Sequence, residues 1–178
     1  MAPVGVNMFK RKEWTNDKCP RCGTEREDDR HVILCNDPSA GDKWNKAIDD
    51  IKQWMIENKT DPALSDAIIS GKTGTPKTIR RPDLKEAYHS QEEMGWFTLF
   101  EGCAARQWKD IQQQHYQKIE SRKSGKRWIV ALLKKLLEVS WDQWEHRNSI
   151  LHTTEISIMG QRCNTFINQV QNMDLSTL

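Results

Sequence analysis

Cys19-Pro-Arg-Cys22-Gly opens a run that continues to His31 and Cys35, placing four potential metal ligands within seventeen residues, with gaps of two, eight and three. No other feature of the chain restricts its fold as strongly. A Cys-x-x-Cys turn brings two thiolates to one point, and a histidine and a cysteine four residues apart share a face of one helical turn. Three thiolates and one imidazole complete a tetrahedron. That leaves no position for a reactive water, so the expected ion is a single structural Zn2+. Pro20 stiffens the turn and Gly23 relaxes it. So short a segment has no apolar core of its own, and metal binding supplies on the order of 10 kcal/mol in comparable finger peptides. The knuckle is expected over residues 19–38.

The remaining two of the five cysteines, Cys103 and Cys163, stand alone in helical contexts. They read as small buried hydrophobes, and the odd count argues for reduced thiols plus a metal site over a disulfide framework. With 178 residues, one main domain and a small appendage are expected. Only 37% of the residues are hydrophobic, but eight tryptophans supply large surfaces for a small core. No apolar run approaches the roughly 20 residues that span a bilayer, and Met1 to Trp14 lacks a signal-peptide apolar region. The expectation is an intracellular protein, nuclear or cytoplasmic, with no membrane partner.

Beyond the knuckle the apolar spacing is helical. Residues 1–18 have no clear period and read as a flexible arm, with Trp14 available to pack on the metal loop. Trp44, Ala47, Ile48, Ile51 and Met55 mark a helix from Ala40 to Asn58. Asp61-Pro62 reads as a cap and a first-turn proline, predicting a short helix from Ala63 to Ile69 ended by Gly71. Residues 71–82, rich in Gly, Pro and Lys/Arg, read as an exposed loop. Helix resumes near Asp83 and continues to Ile119, with Gly95 and Gly102 as possible breaks. The strongest pattern, Ile129, Leu132, Leu133, Leu136, Leu137, Trp141, Trp144 and Leu151, predicts a helix from Lys126 to His152, with Trp141 and Trp144 in the core. A last helix is expected from Ile156 to Met173. The predicted class is all-α: a small N-terminal zinc knuckle (19–38) followed by a tryptophan-rich helical bundle of about five helices (39–178), with basic loops at 71–82 and 121–127.

Cys19-Pro-Arg-Cys22-Gly, Glu27-Asp28 and His31-Val-Ile-Leu-Cys35, with Trp44 downstream, resemble the zinc-binding region C-terminal to the polymerase in non-LTR retrotransposon reverse transcriptases. Gly95-Trp96, Phe100-Glu-Gly102, Gly125-Lys-Arg-Trp128 and Trp144-Glu-His-Arg-Asn148 resemble the tail of the same open reading frames. The resemblance implies that Cys19, Cys22, His31 and Cys35 bind zinc. No polymerase signature is present, neither a Tyr-x-Asp-Asp motif nor the length for a palm domain, so the expectation is the tail without the enzyme, as a fragment or a detached module.

The net charge of +2 gives no bulk attraction to polyanions, but Arg106 to Lys135 carries nine Lys/Arg against Asp110 and Glu120. Arg122, Lys123, Lys126 and Arg127 form a basic turn that can neutralise phosphates of RNA or single-stranded DNA. Trp108, Tyr116 and Trp128 can stack bases there, with burial in the core as the other reading for Trp108 and Trp128. Arg80 and Arg81, with Lys72 and Lys77, can extend that surface, and Arg21, Arg26 and Arg30 can add contacts from the knuckle. The acidic stretch from Glu25 to Asp29 reads as a mixed surface suited to a protein contact.

A different function is suggested by Arg147-Asn148-Ser-Ile-Leu-His152, which resembles the motif of HEPN-type ribonucleases. His152 would act as general acid or base and Arg147 would stabilise the developing charge. Five residues along a straight helix separate the two side chains by about 140°, so a second copy would be needed to bring them together. The leading expectation is a zinc-binding module that binds nucleic acid or docks a protein partner without catalysis. A metal-independent ribonuclease acting across a homodimer and a purely protein-interacting helical domain are the rivals.

Overall fold

The computed structural model describes the backbone of residues 3–73 and 79–174 and, within these, the side chains of 3–71 and 79–153. The order is α1 (Gly5–Lys10), α2 (Asp29–Ile33), α3 (Pro38–Glu57), α4 (Pro62–Thr73), α5 (Pro82–Met94), a 3-10 helix (Trp96–Glu101), α6 (Arg106–Lys118) and α7 (Gly125–Asp174). No strand occurs among the described residues; Lys18 and Arg26 form one isolated antiparallel bridge. The protein is all-α, with the Cys/His cluster near its N-terminus. Among the described residues no helix is long and apolar enough to cross a membrane.

The helix boundaries follow local chemistry. Asp61 Oδ1 accepts the backbone N–H of Ala63 at 2.9 Å and of Leu64 at 3.3 Å, so it caps α4, and Pro62 takes the first turn where no N–H is required. Gly71 does not end that helix as expected. It lies within α4, where a Cβ would come within 2.2 Å of the Trp96 ring, a close approach only glycine permits. The long helix expected from Asp83 to Ile119 is broken at both candidate glycines. Gly95 (φ 88°) and Gly102 (φ 86°) occupy positive φ, flanking the 3-10 turn. Cys103 follows Gly102 outside any helix and is exposed, contrary to its expected burial; Cys163 lies outside the residues with described side chains. The two helices expected at the C-terminus are one: neither proline nor glycine interrupts residues 153–156, and α7 continues without a break.

The chain divides into two units: Met1–Asp37 with Trp144–Leu178, and Pro38–Gln143. No division separates residues 1–18 from the knuckle, and residues of α7 from 144 onward group with the N-terminal segment. The core of the second unit contains Ile51, Leu64, Leu99, Trp108, Leu132 and Leu136, none more than 1% exposed. Buried amides tie its helices together. Gln91 Oε1 accepts both the Ala105 N–H and Trp108 Nε1–H. Gln112 joins the segment after α3, accepting from Asp61 N and donating to the Lys59 carbonyl. Trp128 Nε1–H donates to Thr60 Oγ1 at 2.9 Å. Trp108 and Trp128 are therefore core residues with satisfied N–H groups, and do not stack bases. Trp141 departs from expectation at 60% exposed, because the buried stripe of α7 runs through 128, 132, 136, 139 and 143 and position 141 points away from it.

Candidate metal centre

The knuckle is built by short-range backbone bonds. Cys19 N–H donates to the Glu25 carbonyl and Gly23 N–H to the Cys19 carbonyl, both at 2.8 Å, closing the Cys-x-x-Cys turn with Gly23 at φ +68°. Asp28 Oδ1 accepts the His31 N–H at 2.8 Å and caps α2, which aims His31 back toward the turn. Because α2 ends at Ile33, Cys35 is delivered by the residues just after the helix, not by the helical turn that the spacing suggested.

Cys19, Cys22, His31 and Cys35 place one ligand atom each within 4.8 Å of all the others. Cys19 Sγ and Cys35 Sγ are 3.8 Å apart, and Cys22 Sγ and His31 Nε2 are 3.4 Å apart. Tetrahedral zinc with bonds of about 2.3 Å to sulfur and 2.0 Å to nitrogen requires edges of ~3.8 Å between two sulfurs and ~3.5 Å between sulfur and nitrogen. Both measured edges match this shape, so the residues fit a metal ion. The surroundings fit as well: His31 Nδ1 faces Glu25 Oε2 at 3.2 Å, the carboxylate contact that orients a ligating imidazole through its other nitrogen. Backbone N–H groups of Arg21 and Asp37 point at Cys19 Sγ (3.4 Å) and Cys35 Sγ (3.5 Å).

The thiols are held at opposite ends of the titration range. Burial pushes Cys19 up to about 12, with Cys35 and Glu27 adding to the rise and backbone N–H bonds at Cys22 and Arg21 only partly opposing it. Burial also acts upward on Cys22, but bonds from the Glu25 and Thr24 backbone, the Thr24 side chain and His31 outweigh it and bring that thiol to about 6. Near neutrality Cys22 is a ready thiolate, while Cys19 must give up a proton to ligate.

Behind the cluster lies a buried ion pair that the sequence did not announce. Arg147 Nη2 and Nε meet Glu27 Oε2 and Oε1 at 2.6 and 2.9 Å, with side-chain exposures of 2% and 0%. The guanidinium carbon sits 5.2 Å from the ring centroids of both Trp14 and Trp144. Glu27 also accepts Gly5 N–H at 2.7 Å through its side chain and Val6 N–H through its carbonyl. These bonds tie down residues expected to form a flexible arm, and Val4 is buried. They also count against the ribonuclease reading. Arg147 is consumed by a buried carboxylate and by Asn148 Oδ1 at 2.9 Å, while His152 stands exposed on the same helix, so the three do not assemble a site. Of the acidic stretch only Glu27 is buried; Glu25, Asp28 and Asp29 remain exposed beside Arg26 and Arg30, with Asp28 also capping α2 and Glu25 also facing His31. Arg21 is 8% exposed and donates to the His31 and Val32 carbonyls, which removes it from the expected nucleic-acid contacts, whereas Arg26 pairs with Asp17 and stays largely exposed.

The basic turn is where the sequence placed it. Arg122, Lys123, Lys126 and Arg127 are all exposed between α6 and the start of α7. Arg122, Lys123 and Arg127 line a groove of about 460 Å³ with Asn58, Tyr116 and Ser121, and no acidic side chain lines it among the described residues. Lys123 is partly occupied, reaching Asn58 Oδ1 at 3.1 Å and the Glu57 carbonyl at 3.5 Å at the end of α3. Tyr116 is buried, its hydroxyl donating to the Asn58 carbonyl at 2.7 Å, so it offers no stacking face. Arg80 is exposed, whereas Arg81 is clamped between Asp61 (2.5 Å) and Asp83 (2.6 Å), which neutralises it as a phosphate contact. The side chains of Lys72 and Lys77 lie outside the described residues. Compared with known proteins, the chain matches no family model, no curated protein and no solved structure.

Proposed function

We propose that the protein is a non-enzymatic module of the retroelement-tail type, held together at its N-terminus by one structural Zn2+ and binding single-stranded RNA or DNA through the basic turn. Three thiolates and an imidazole at tetrahedral spacing favour zinc over the hard cations, which take oxygen ligands, and fill every position a catalytic water would need. The observation that carries nucleic-acid binding is the pair Arg122 and Arg127, without an ion-pair partner among the described residues, on a groove that no described carboxylate lines, with Lys126 exposed on the same turn. Cations on a turn attract phosphates without reading sequence, so the expected binding is sequence-tolerant and salt-dependent.

The test is a salt titration of binding to single-stranded RNA and DNA, with and without zinc. Three phosphate contacts give a slope of log K against log salt of roughly −2. No affinity at low salt would end the nucleic-acid reading. Loss of binding in Cys19→Ser with the turn intact would move the contact to the knuckle.

A further inference from the structure

Helix α7 shows the solvent a second apolar stripe, on the side opposite its buried one. Val130, Leu137 and Trp141 are 48%, 47% and 60% exposed, while Trp128, Leu132, Leu136 and Val139 on the other side are at most 6% exposed. At 100° per residue the three exposed positions fall within about 40° of one another around the helix axis. Large apolar side chains aligned in this way mark a surface that a partner covers.

The charges beside the stripe identify the partner. Arg127, Lys134, Glu138 and Asp142 are all exposed and follow one flank of it, the two cations toward the N-terminal end and the two carboxylates toward the C-terminal end. Glu138 bonds Lys135 of its own helix at 2.9 Å, and its position on the flank leaves it accessible from outside. A parallel neighbour of the same sequence would set this charged flank against the opposite flank of its partner, which carries Lys126, Leu133 and Ser140 and no carboxylate, leaving Lys134 and Glu138 without complementary charges. An antiparallel one, related by a two-fold axis across the helix, brings the same flank of each copy together with its ends reversed. Val130 then lies opposite Trp141 of the second copy, Lys134 beside its Glu138, and Arg127 near its Asp142. We infer that the chain forms a two-fold homodimer through this face of α7, with apolar contact along the stripe and complementary charges setting the antiparallel direction. The parallel alternative lacks these opposite-charge pairs, which gives the pairing its direction.

The inference does not rest on the nucleic-acid reading, although Arg127 borders both surfaces, and is tested on the full zinc-loaded chain, without nucleic acid, by sedimentation equilibrium over a range of concentrations. The wild type is expected to show a reversible monomer–dimer equilibrium. Trp141→Ala should weaken it roughly tenfold or more, as for an aromatic anchor at an interface, with helix content and zinc content unchanged. Lys134→Glu and Glu138→Lys should each weaken self-association, since each sets like charges opposite one another. Mixed in equal amounts, these two variants should form a heterodimer, because one chain then carries carboxylates at both positions and the other carries ammonium groups at both. Both charge variants lie on the exposed flank and keep the test available should Trp141→Ala misfold. A wild type that stays monomeric at every concentration overturns the inference, as does a mixture no more associated than its components. Loss of RNA binding in Trp141→Ala without any change in association would make the stripe a nucleic-acid contact and overturn it equally.

Discussion

Arg147 holds Glu27 in a two-point ion pair across 120 residues of sequence, with both side chains at least 98% buried and the guanidinium between Trp14 and Trp144. A buried pair is weak evidence of net stabilisation, because desolvating two charges costs about as much as their attraction returns. Breaking one partner is another matter, since it strands the remaining charge. Arg147→Met should therefore destabilise the fold by roughly 3–5 kcal/mol. The double variant Glu27→Gln/Arg147→Met should recover part of that loss by removing the stranded carboxylate. Urea denaturation followed by tryptophan fluorescence measures both, and equal stability of wild type and Arg147→Met would contradict the role assigned to the pair.

Metal binding should consume thiol protons. With Cys19 at about 12 and Cys22 at about 6, loading at pH 7 releases the Cys19 proton, while Cys22 is already largely ionised. Affinity consequently rises with pH, because the ligating form of Cys19 is the deprotonated one. Calorimetry in buffers of different ionisation enthalpy counts the released protons, and elemental analysis should find one zinc per chain. Glu25→Ala should lower zinc affinity roughly 10- to 100-fold by freeing the His31 ring. Cobalt substitution should give the intense visible bands of a tetrahedral thiolate site, and octahedral, pale cobalt would rule that geometry out.

Asp61 supplies an acid-dependent part of the stability of the second unit. Burial acts to raise its pKa, but the hydrogen bond and charge of Arg81 and the N–H groups of Leu64 and Ala63 outweigh burial and hold it below the usual carboxylate range. A group depressed in the folded state stabilises above its unfolded pKa, and that contribution fades as pH falls through the folded value. Asp61→Ala should cost about 1–2 kcal/mol at neutral pH, mostly from the lost α4 cap, with the partly exposed Arg81 pair adding little. The gap between variant and wild type should narrow in acid. Thermal melts from neutral pH down into strong acid show whether it does.

Within the basic turn the cations should act separately and by charge. Arg122→Ala and Arg127→Ala should each reduce the salt slope by about 0.7, the amount per phosphate contact on a single strand. Arg81→Ala should leave the slope unchanged, because Asp61 and Asp83 already neutralise that side chain. Fluorescence anisotropy with labelled oligonucleotides at several salt concentrations separates the variants. Equal effects from Arg81 and Arg122 would mean that general charge, and not the groove, governs binding.

The Cys/His cluster is legible in the sequence because a Cys-x-x-Cys turn and a His/Cys pair are local features whose geometry follows from a few intervening residues. The helices are legible for a similar reason: apolar period, the Asp61 cap and the glycine breaks at 95 and 102 all act within a few residues. Arg147 misleads because its sequence neighbours Asn148 and His152 imitate a catalytic motif, whereas its true partner is Glu27. Trp141 misleads because an apolar residue on a strongly apolar helix carries no mark of which side the rest of the protein covers.

By itself, then, the sequence determined the helical class, the four-ligand cluster and the basic turn, all products of short-range spacing and charge. Tertiary structure alone decided that Arg147 is buried, that Arg21 and Arg81 are occupied, and that Trp108 and Trp128 lie inside while Trp141 lies outside. Those outcomes depend on which distant group stands opposite a side chain, and pairing energies such as that between Glu27 and Arg147 come into being only once folding has removed the water between them.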